Sequence, residues 1–501
     1  LPDVVGKQLF ESFKDPTAAK SLEIKQFDES TARAKSFMVS QAANGQWQIP
    51  SHGNYPADAE SQLKAVAETL VDLKVMGIAS TVATDHGLYG VVDPEKAQVG
   101  STGVGTLVAL QDAKGNDLMK LIVGKEVAGA TNQRFVRKPT EEVVYVTAID
   151  MTKLPTEFDK WIEKDLLKIS TWDVSRVLVK DYVLLPTQTG GMALLPRMDA
   201  ELSYASDKGE WKLENMLLHT RQGPTPSTLG PLEELNKQKL DDLRNALGDV
   251  KIVDVVRKPS GLGGSLQISK DKLTEEQKDA LRDFGFFPNP RPDGTLDIYG
   301  TNGEVIVDTK EGVEYVLRFG DIAPQADLSS ASGSDSNQDK AKSDQDQVKV
   351  NRYLFVMTQL APSVLTPPEL TPEPAGPAAE PKPDEGKKDD AKKGDDAKSE
   401  EKKDDKPAVV DPQQAERERI RKENERKMSE YRDKKTKAEN RVKELNARFA
   451  DWYYVVSEDV YKKIRLVRSD IVKEASTAKD EGFGVDAFRK LEEEGLKPAA
   501  K

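Results

Sequence analysis

The strongest constraint on how this chain can fold is an order of elements that occurs twice. From Ser21 the pattern gives a strand at Leu22 to Phe27, a second at Lys35 to Val39, and an Asn44-Gly45 turn into Trp47-Gln48-Ile49. Asn-Gly between alternating residues favours a tight hairpin, because both positions tolerate the left-handed backbone that such a turn needs. After Pro56 comes a helix with Leu63, Val66, Leu70 and Leu73 on one face, then a loop from Gly87 to Pro94. Strands follow at Gly105 to Leu110, Leu118 to Val123, Arg134 to Arg137 and Val143 to Ile149.

About 165 residues later the order begins again, a spacing that signals internal duplication. Glu210-Trp211-Lys212-Leu213 stands for the early strand, and a helix is expected to carry Leu232, Leu235, Leu240, Leu243 and Leu247. Asp283 to Pro290 takes the place of the first Gly-to-Pro loop, and Gly294 to Tyr299 that of Gly105 to Leu110. Gly303 to Val307 and Glu314 to Phe319 then form a meander, and Arg352 to Met357 matches Arg134 to Arg137. The fold class is therefore α+β, with two tandem copies of a mostly antiparallel sheet-plus-helix module. Between the copies, Thr156 to Ile169 reads as an amphipathic helix with Phe158, Trp161, Ile162 and Leu166 on one side.

Two segments lack the apolar residues that would offset the entropy of ordering them. One is Ala326 to Val350; the other is Pro362 to Pro412, first proline-rich and then a tract from Lys382 to Lys406 with nine Lys and ten Asp or Glu. Those charges nearly cancel, which makes a solvated spacer rather than a polybasic tail. Gln413 to Ala450 reads as one long helix, about 55 Å at ~1.5 Å per residue. Met428, Tyr431, Ala438, Val442, Leu445 and Phe449 follow heptad positions interrupted by Lys435.

The second copy has the outgoing strand at Tyr353 to Met357 but nothing like its returning partner until Trp452 to Ser457. Those strands should pair, with everything between inserted at a hairpin tip. The consecutive aromatics Trp452, Tyr453 and Tyr454 suit a strand covered on both faces. The resulting division is a first α+β module at 1–170, connecting strands at 171–209, and a second module at 210–360 with a disordered insertion at 326–350. There follow a disordered Pro-rich and mixed-charge spacer at 361–412, the long helix at 413–450, a returning strand completing the second module at 451–474, and a tail at 475–501.

The net charge of −12, with acids and bases intermixed, gives no concentrated positive field for nucleic acid. The absence of cysteine removes thiolate nucleophiles, zinc-thiolate sites and disulfides. Gly100 to Thr106 lacks the Gly-Lys-Ser/Thr ending of a phosphate loop and leads into a strand, so it reads as a hairpin turn, and Gly261-Leu262-Gly263-Gly264 reads as a flexible turn. His52, His86 and His219 have no second histidine at metal-ligand spacing. Asp85-His86 is an acid beside a base, but neighbours in sequence tend to point apart. No catalytic, cofactor or metal residue is expected. Met428, Tyr431, Val442, Leu445 and Phe449 are the candidate partner contacts.

Trp47-Gln48-Ile49, the helix opened by Pro56-Ala57-Asp58-Ala59, the loop from Gly87-Leu88 to Asp93-Pro94, Leu121 to Lys125 and Val144-Tyr145-Val146 together resemble the bacterial "domain of unknown function 4340". The resemblance covers the first copy well and the second loosely, some three-quarters of the chain. It implies an envelope protein held by one N-terminal transmembrane helix and associated with ABC-type export systems of the gliding-motility kind. Such an anchor would precede Leu1. The expectation is a non-enzymatic extracytoplasmic accessory or binding subunit with a protein partner, on the outer face of the cytoplasmic membrane. Two other readings stand beside it: an envelope scaffold or adhesion protein assembled through the long helix as a coiled coil, and a hydrolase with a site near Asp85 and His86.

Overall fold

The computed structural model describes residues 4–29, 33–188, 192–259, 267–269, 273–290, 295–324, 350–374 and 412–475. The architecture is mixed, with two nine-stranded antiparallel sheets carrying most of the described chain. The first sheet is built from β1 (Ser21–Asp28), β2 (Arg33–Gln41), β3 (Trp47–Ile49), β4 (Tyr55–Pro56), β5 (Gly77–Ser80), β6 (Thr106–Gln111), β7 (Asp117–Glu126), β8 (Gln133–Arg137) and β9 (Val144–Ala148). Its strand order is β4-β3-β2-β1-β6-β7-β8-β9-β5. Helix α1 (Glu60–Val71) lies between β4 and β5 in sequence and buries Leu63, Val66, Ala67 and Leu70. Burying each of the larger of these contributes about 1.5–3 kcal/mol. A second, one-turn helix, α2 (His86–Tyr89), sits in the loop before β6.

The second sheet contains β10 (Val174–Pro186), β11 (Met192–Ala205), β12 (Glu210–Thr220), β13 (Gly223–Pro226), β15 (Asp254–Arg257), β19 (Glu304–Thr309), β20 (Val313–Ala323), β21 (Asn351–Leu360) and β22 (Trp452–Ser457). Its order, β13-β12-β11-β10-β19-β20-β21-β22-β15, repeats that of the first sheet strand for strand. Helix α3 (Lys237–Gly248) holds the place of α1 and buries Leu240, Leu243, Ala246 and Leu247. Two smaller sheets are added: β14 (Glu233–Leu235) with β23 (Val472–Glu474), and β16 (Gln267–Ser269), β18 (Thr295–Gly300) and β17 (Phe286–Pro290). The remaining helices are α4 (Glu275–Asp283), α5 (Pro412–Phe449), α6 (Glu458–Ile464) and α7 (Arg468–Ile471).

The pairing expected at the end of the chain is present. β22 runs antiparallel to β21, with Asn351 opposite Ser457 and Leu354 opposite Tyr454. Its alternation explains the aromatic run. Trp452 and Tyr454 enter the main core, while Tyr453 points to the other face, where Phe286 stacks on it with ring centroids 5.3 Å apart. β22 is thus buried on both faces.

Four local expectations are corrected. Residues 171–209 are not connectors, because β10 and β11 sit in the middle of the second sheet. The counterpart of β6 is β19, not Gly294 to Tyr299, which falls in β18 of the three-stranded sheet. Both stretches alternate, and periodicity alone does not select the neighbouring strand. The second helix begins only after Asn236, whose side chain accepts from the Lys239 N–H, so Leu232 and Leu235 lie outside it. Thr156 to Ile169 has a single 3-10 turn at Phe158–Lys160. Its apolar residues Trp161, Ile162, Leu166 and Leu167 are buried, and its backbone bonds to another segment, Leu166 N–H to the Val250 carbonyl.

One continuous apolar cluster joins both sheets, running through Leu22, Leu63, Trp161, Val177, Leu243 and Phe449. Where they meet, Tyr55 packs edge-on against Trp452 at 5.0 Å, and His52 lies 3.6 Å from Asp254. Burial holds the His52 pKa below its ordinary value, with Asp254 opposing. It likewise raises Asp254, with His52 opposing.

The insertion expected at 326–350 lies, except for Val350, outside the described residues. So do 375–411 of the spacer, 476–501 of the tail, and Gly261 to Gly264, expected as a flexible turn.

Candidate functional site

The second sheet carries a helical arm. α5 is 38 residues long, and burial is confined to its last turns, at Ala438, Leu445 and Phe449. An asparagine ties this root to the sheet. Asn446 Oδ1 accepts from the Thr358 N–H at 2.8 Å, and Asn446 Nδ2 donates to the Thr358 carbonyl at 2.7 Å. The side-chain amide thereby meets the backbone as another strand would. At the C-terminus, where a helix leaves carbonyls unpaired, the Lys258 ammonium donates to the Phe449 and Ala450 carbonyls, both at 3.1 Å. It sits 4.0 Å from the centre of the Phe355 ring, and burial lowers its pKa to about 7. Arg448 reaches the connector from the first sheet, donating to the Asp165 carbonyl at 2.6 Å.

Residues 361–374, expected to belong to the disordered spacer, instead lie against this arm. Ala361 is fully buried and Leu365 nearly so, and Ser363 Oγ bonds the Asp308 carboxylate. Further out, Thr371 N–H donates to Asn424 Oδ1 at 3.0 Å while Asn424 Nδ2 donates to the Thr371 carbonyl at 2.8 Å. Asn424 thus repeats the device of Asn446, one on each half of the helix. Gly312 makes room for the segment, since a Cβ there would lie 2.7 Å from Leu365 Cδ2.

Between the arm and the β19–β20 turn lies a cleft of about 430 Å³ lined by Lys310, Glu311, Lys434, Lys437, Ala438 and Arg441. Four cations against one acid suit an acidic group on a partner. Arg441 is also 2.9 Å from Glu444. Beneath the cleft, burial pushes the Tyr315 hydroxyl up to about 12, against the opposing pull of Arg441.

Of the five expected partner contacts, Leu445 and Phe449 are core residues and Val442 packs on that core, so these three are corrected to internal packing. Met428 and Tyr431 are half-buried on the outer arm. The cationic cleft escaped the sequence reading because its members are separated by more than 120 positions and resemble any charged surface. The two tying asparagines carried no distinguishing signal, since the same helix holds a third, Asn440, that is exposed.

Asp85 and His86 do not pair. Asp85 accepts from Ser80 Oγ at 2.7 Å, whereas His86 Nε2 meets the Glu142 carbonyl oxygen at 2.8 Å. A cavity of about 460 Å³ opens beside them, lined in part by Asp93, Lys96, Arg137 and Glu141. Arg137 is committed to the backbone, donating to the Val91, Pro139 and Glu141 carbonyls. Gly100 to Thr106 is not a hairpin turn but a loop folded over α2, with Val104 bridged to Val92. Gly103 has φ +69°, and a Cβ there would stand 2.0 Å from the Gly87 oxygen. The other two histidines have carboxylate neighbours, His52 as above and His219 at 3.0 Å from Asp199. Among the described residues no group of three or more His, Cys, Asp or Glu could hold a metal, and no described helix is long and apolar enough to cross a membrane.

The model of the family described as Domain of unknown function (DUF4340) matches residues 47–263. The match runs from β3 of the first sheet to just beyond β15 of the second, less than half of the chain rather than three-quarters. No curated protein and no solved structure matches.

Proposed function

From the match of residues 47–263 to the DUF4340 family model, we propose that the chain is a non-enzymatic accessory subunit of an extracytoplasmic envelope assembly that engages its partner, a component of an ABC-type export system, through the α5 arm. The observation that carries this reading is the contrast along α5. Its last turns are fixed by Asn446, Lys258, Leu445 and Phe449, while its outer part presents Met428, Tyr431 and the Lys434–Lys437–Arg441 face to solvent or to the cleft. A charged lever rooted in the core at one end and strapped only by residues 361–374 further out is suited to reaching a partner, and a core does not require it. We read the two sheets as copies of one module, on the support of their identical strand order. The engagement of Asp85, His86 and Arg137 with loop backbone or Ser80 supports a structural role for that loop.

The test is localisation together with crosslinking in the native host. The native gene product is expected in the cytoplasmic-membrane fraction, degraded by protease in spheroplasts but not in intact cells. A photo-crosslinker at Tyr431 should give a discrete adduct with a transporter subunit. Recovery of the native product in the cytosolic fraction would contradict the reading.

A further inference from the structure

The β10–β11 hairpin projects beyond its sheet, and its projecting part carries no charge. β10 pairs with β19 as far as Lys180 opposite Glu304, and β11 pairs with β12 from Met198 opposite Leu218. Past these points the two strands pair with each other, from Tyr182 opposite Pro196 to Pro186 opposite Met192. Tyr182 to Pro196 contains no Asp, Glu, Lys, Arg or His, in a chain of which 32% is charged. Leu185, Leu194 and Leu195 are 48%, 38% and 49% exposed.

The first sheet shows that the fold does not demand this. The corresponding hairpin, β1–β2, ends in charged residues: Asp28 stands opposite Arg33, and Lys35 is 2.6 Å from Asp28. Its strands are 8 and 9 residues long, against 13 and 14 for β10 and β11. The extra length of the second hairpin is the uncharged part.

Side chains on a two-stranded ribbon alternate between its faces. Val183, Leu185, Ala193 and Leu195 therefore share one face, and Leu184 and Leu194 the other. A protein groove or an added strand would cover one face and leave leucines in water on the other. A fluid apolar medium covers both. Beyond Asp181 each strand runs about 16 Å at ~3.3 Å per residue, long enough to cross the headgroup layer and reach the acyl boundary, where interfacial elements bury about 5–10 Å. The outer edges of the ribbon keep unpaired backbone groups, which must stay at headgroup depth where water reaches them. Arg197 at the root, 44% exposed although it pairs with Asp181, and exposed Arg221 in the adjacent β12–β13 turn form a cationic rim where anionic headgroups would lie.

We propose that the β10–β11 hairpin is a lipid-docking finger that dips into the interface of a bilayer containing anionic lipid. The inference rests on the hairpin's own chemistry and stands apart from the assignment of α5 to a partner protein.

Because the chain has no cysteine, a single environment-sensitive fluorophore can be placed at Leu194→Cys and, as a control, at Ala34→Cys on the charged hairpin. With vesicles of phosphatidylethanolamine and phosphatidylglycerol, the label at 194 should blue-shift and brighten while that at 34 does not. Vesicles of phosphatidylcholine alone should give a weaker response. In sedimentation, L185E/L194E/L195E should lower partitioning by at least about tenfold, since each leucine loses its apolar transfer. The fluorophore reads the same contact without relying on the triple variant. A label at 194 that is unchanged by either vesicle overturns the proposal. So does a blue shift that grows with protein concentration in the absence of lipid, which would assign the hairpin to self-association.

Discussion

The two nine-stranded sheets share a strand order but differ in what they bury and in how the same hairpin is closed. In the first, β8 returns as β9 through residues 138–143. In the second, the equivalent return from β21 to β22 passes through residues 361–451, including the whole arm. Among the described residues the strands of the first sheet bury one charge, Arg137, with Asp93 in the loop before β6, whereas those of the second bury Asp181, Glu304, Asp308, Glu314, Arg318 and Arg352, with Asp297 supplied by β18 of the small sheet. A sheet can thus accept a long insertion at a hairpin tip, because the cost of closing a loop rises only with the logarithm of its length. The additions bring polar contacts that must then be satisfied inside.

The buried charges offer the hardest test of this difference. Arg318 bonds the Glu304 carboxylate and lies 2.7 Å from Asp297 Oδ1. Arg318→Met leaves two acids buried beside an apolar chain and is expected to destabilise by about 3–5 kcal/mol in urea unfolding. Arg137→Met in the first sheet strips hydrogen bonds from loop carbonyls, and should cost less, about 1–3 kcal/mol. Equal losses at the two sites would break the distinction between the sheets.

At the arm root, Asn446→Ala removes both strand-like bonds to Thr358 and is expected to cost about 1–3 kcal/mol. Asn424→Ala, on the exposed outer arm, should cost under about 0.5 kcal/mol. A comparable loss at the outer asparagine would mean that the arm is held along its whole length.

The second sheet should also be the more pH-sensitive. Burial pushes Glu314 up to about 7, helped by neighbouring Asp308 and opposed by Gln359 and Arg176. A carboxyl whose folded pKa is raised binds more protons when folded. Its stabilising contribution is full below its unfolded value of 4.5 and is lost as pH rises through about 7. Amide protection in β20, taken relative to the intrinsic exchange rate at each pH, should therefore fall between pH 5 and 8, and Glu314→Gln should flatten that trend. Protection in β7 of the first sheet, taken the same way, should change little over the same interval.

Much of the fold could be read from local pattern. The Asn44-Gly45 turn has Gly45 at φ +83°, the face of α1 is the one its leucines mark, and Trp452 to Ser457 returns beside β21 as its aromatic alternation suggests. These features follow from periodicity and turn chemistry, which act over a few residues. Position within a sheet does not, and β18 was therefore mistaken for the counterpart of β6. The connector at 156–169 misled for another reason: its apolar residues are spaced as on a helix, but they serve a path between two sheets, with Lys168 at φ +53°. Of the candidate site, the arm was legible as one long helix from Gln413 to Ala450, in which Glu423 lies 3.1 Å from Lys427. The cleft was not, because Lys310 meets Lys437 and Arg441 only through tertiary packing.

The central claim is that the insertion is an appendage on a hairpin that closes without it, and removing its outermost part, the spacer and the first turns of α5 up to Glu423, tests this most directly. Thr371 and Asn424 are hydrogen-bonded to each other, so residues 372–423 can be replaced by a short Gly-Ser linker without moving either end. The account predicts that the shortened chain unfolds cooperatively in urea with a stability within about 1 kcal/mol of the full chain, since shortening a loop changes its closure cost only slightly. A loss of several kcal/mol, or of cooperative unfolding, would contradict it and make the outer arm part of the fold.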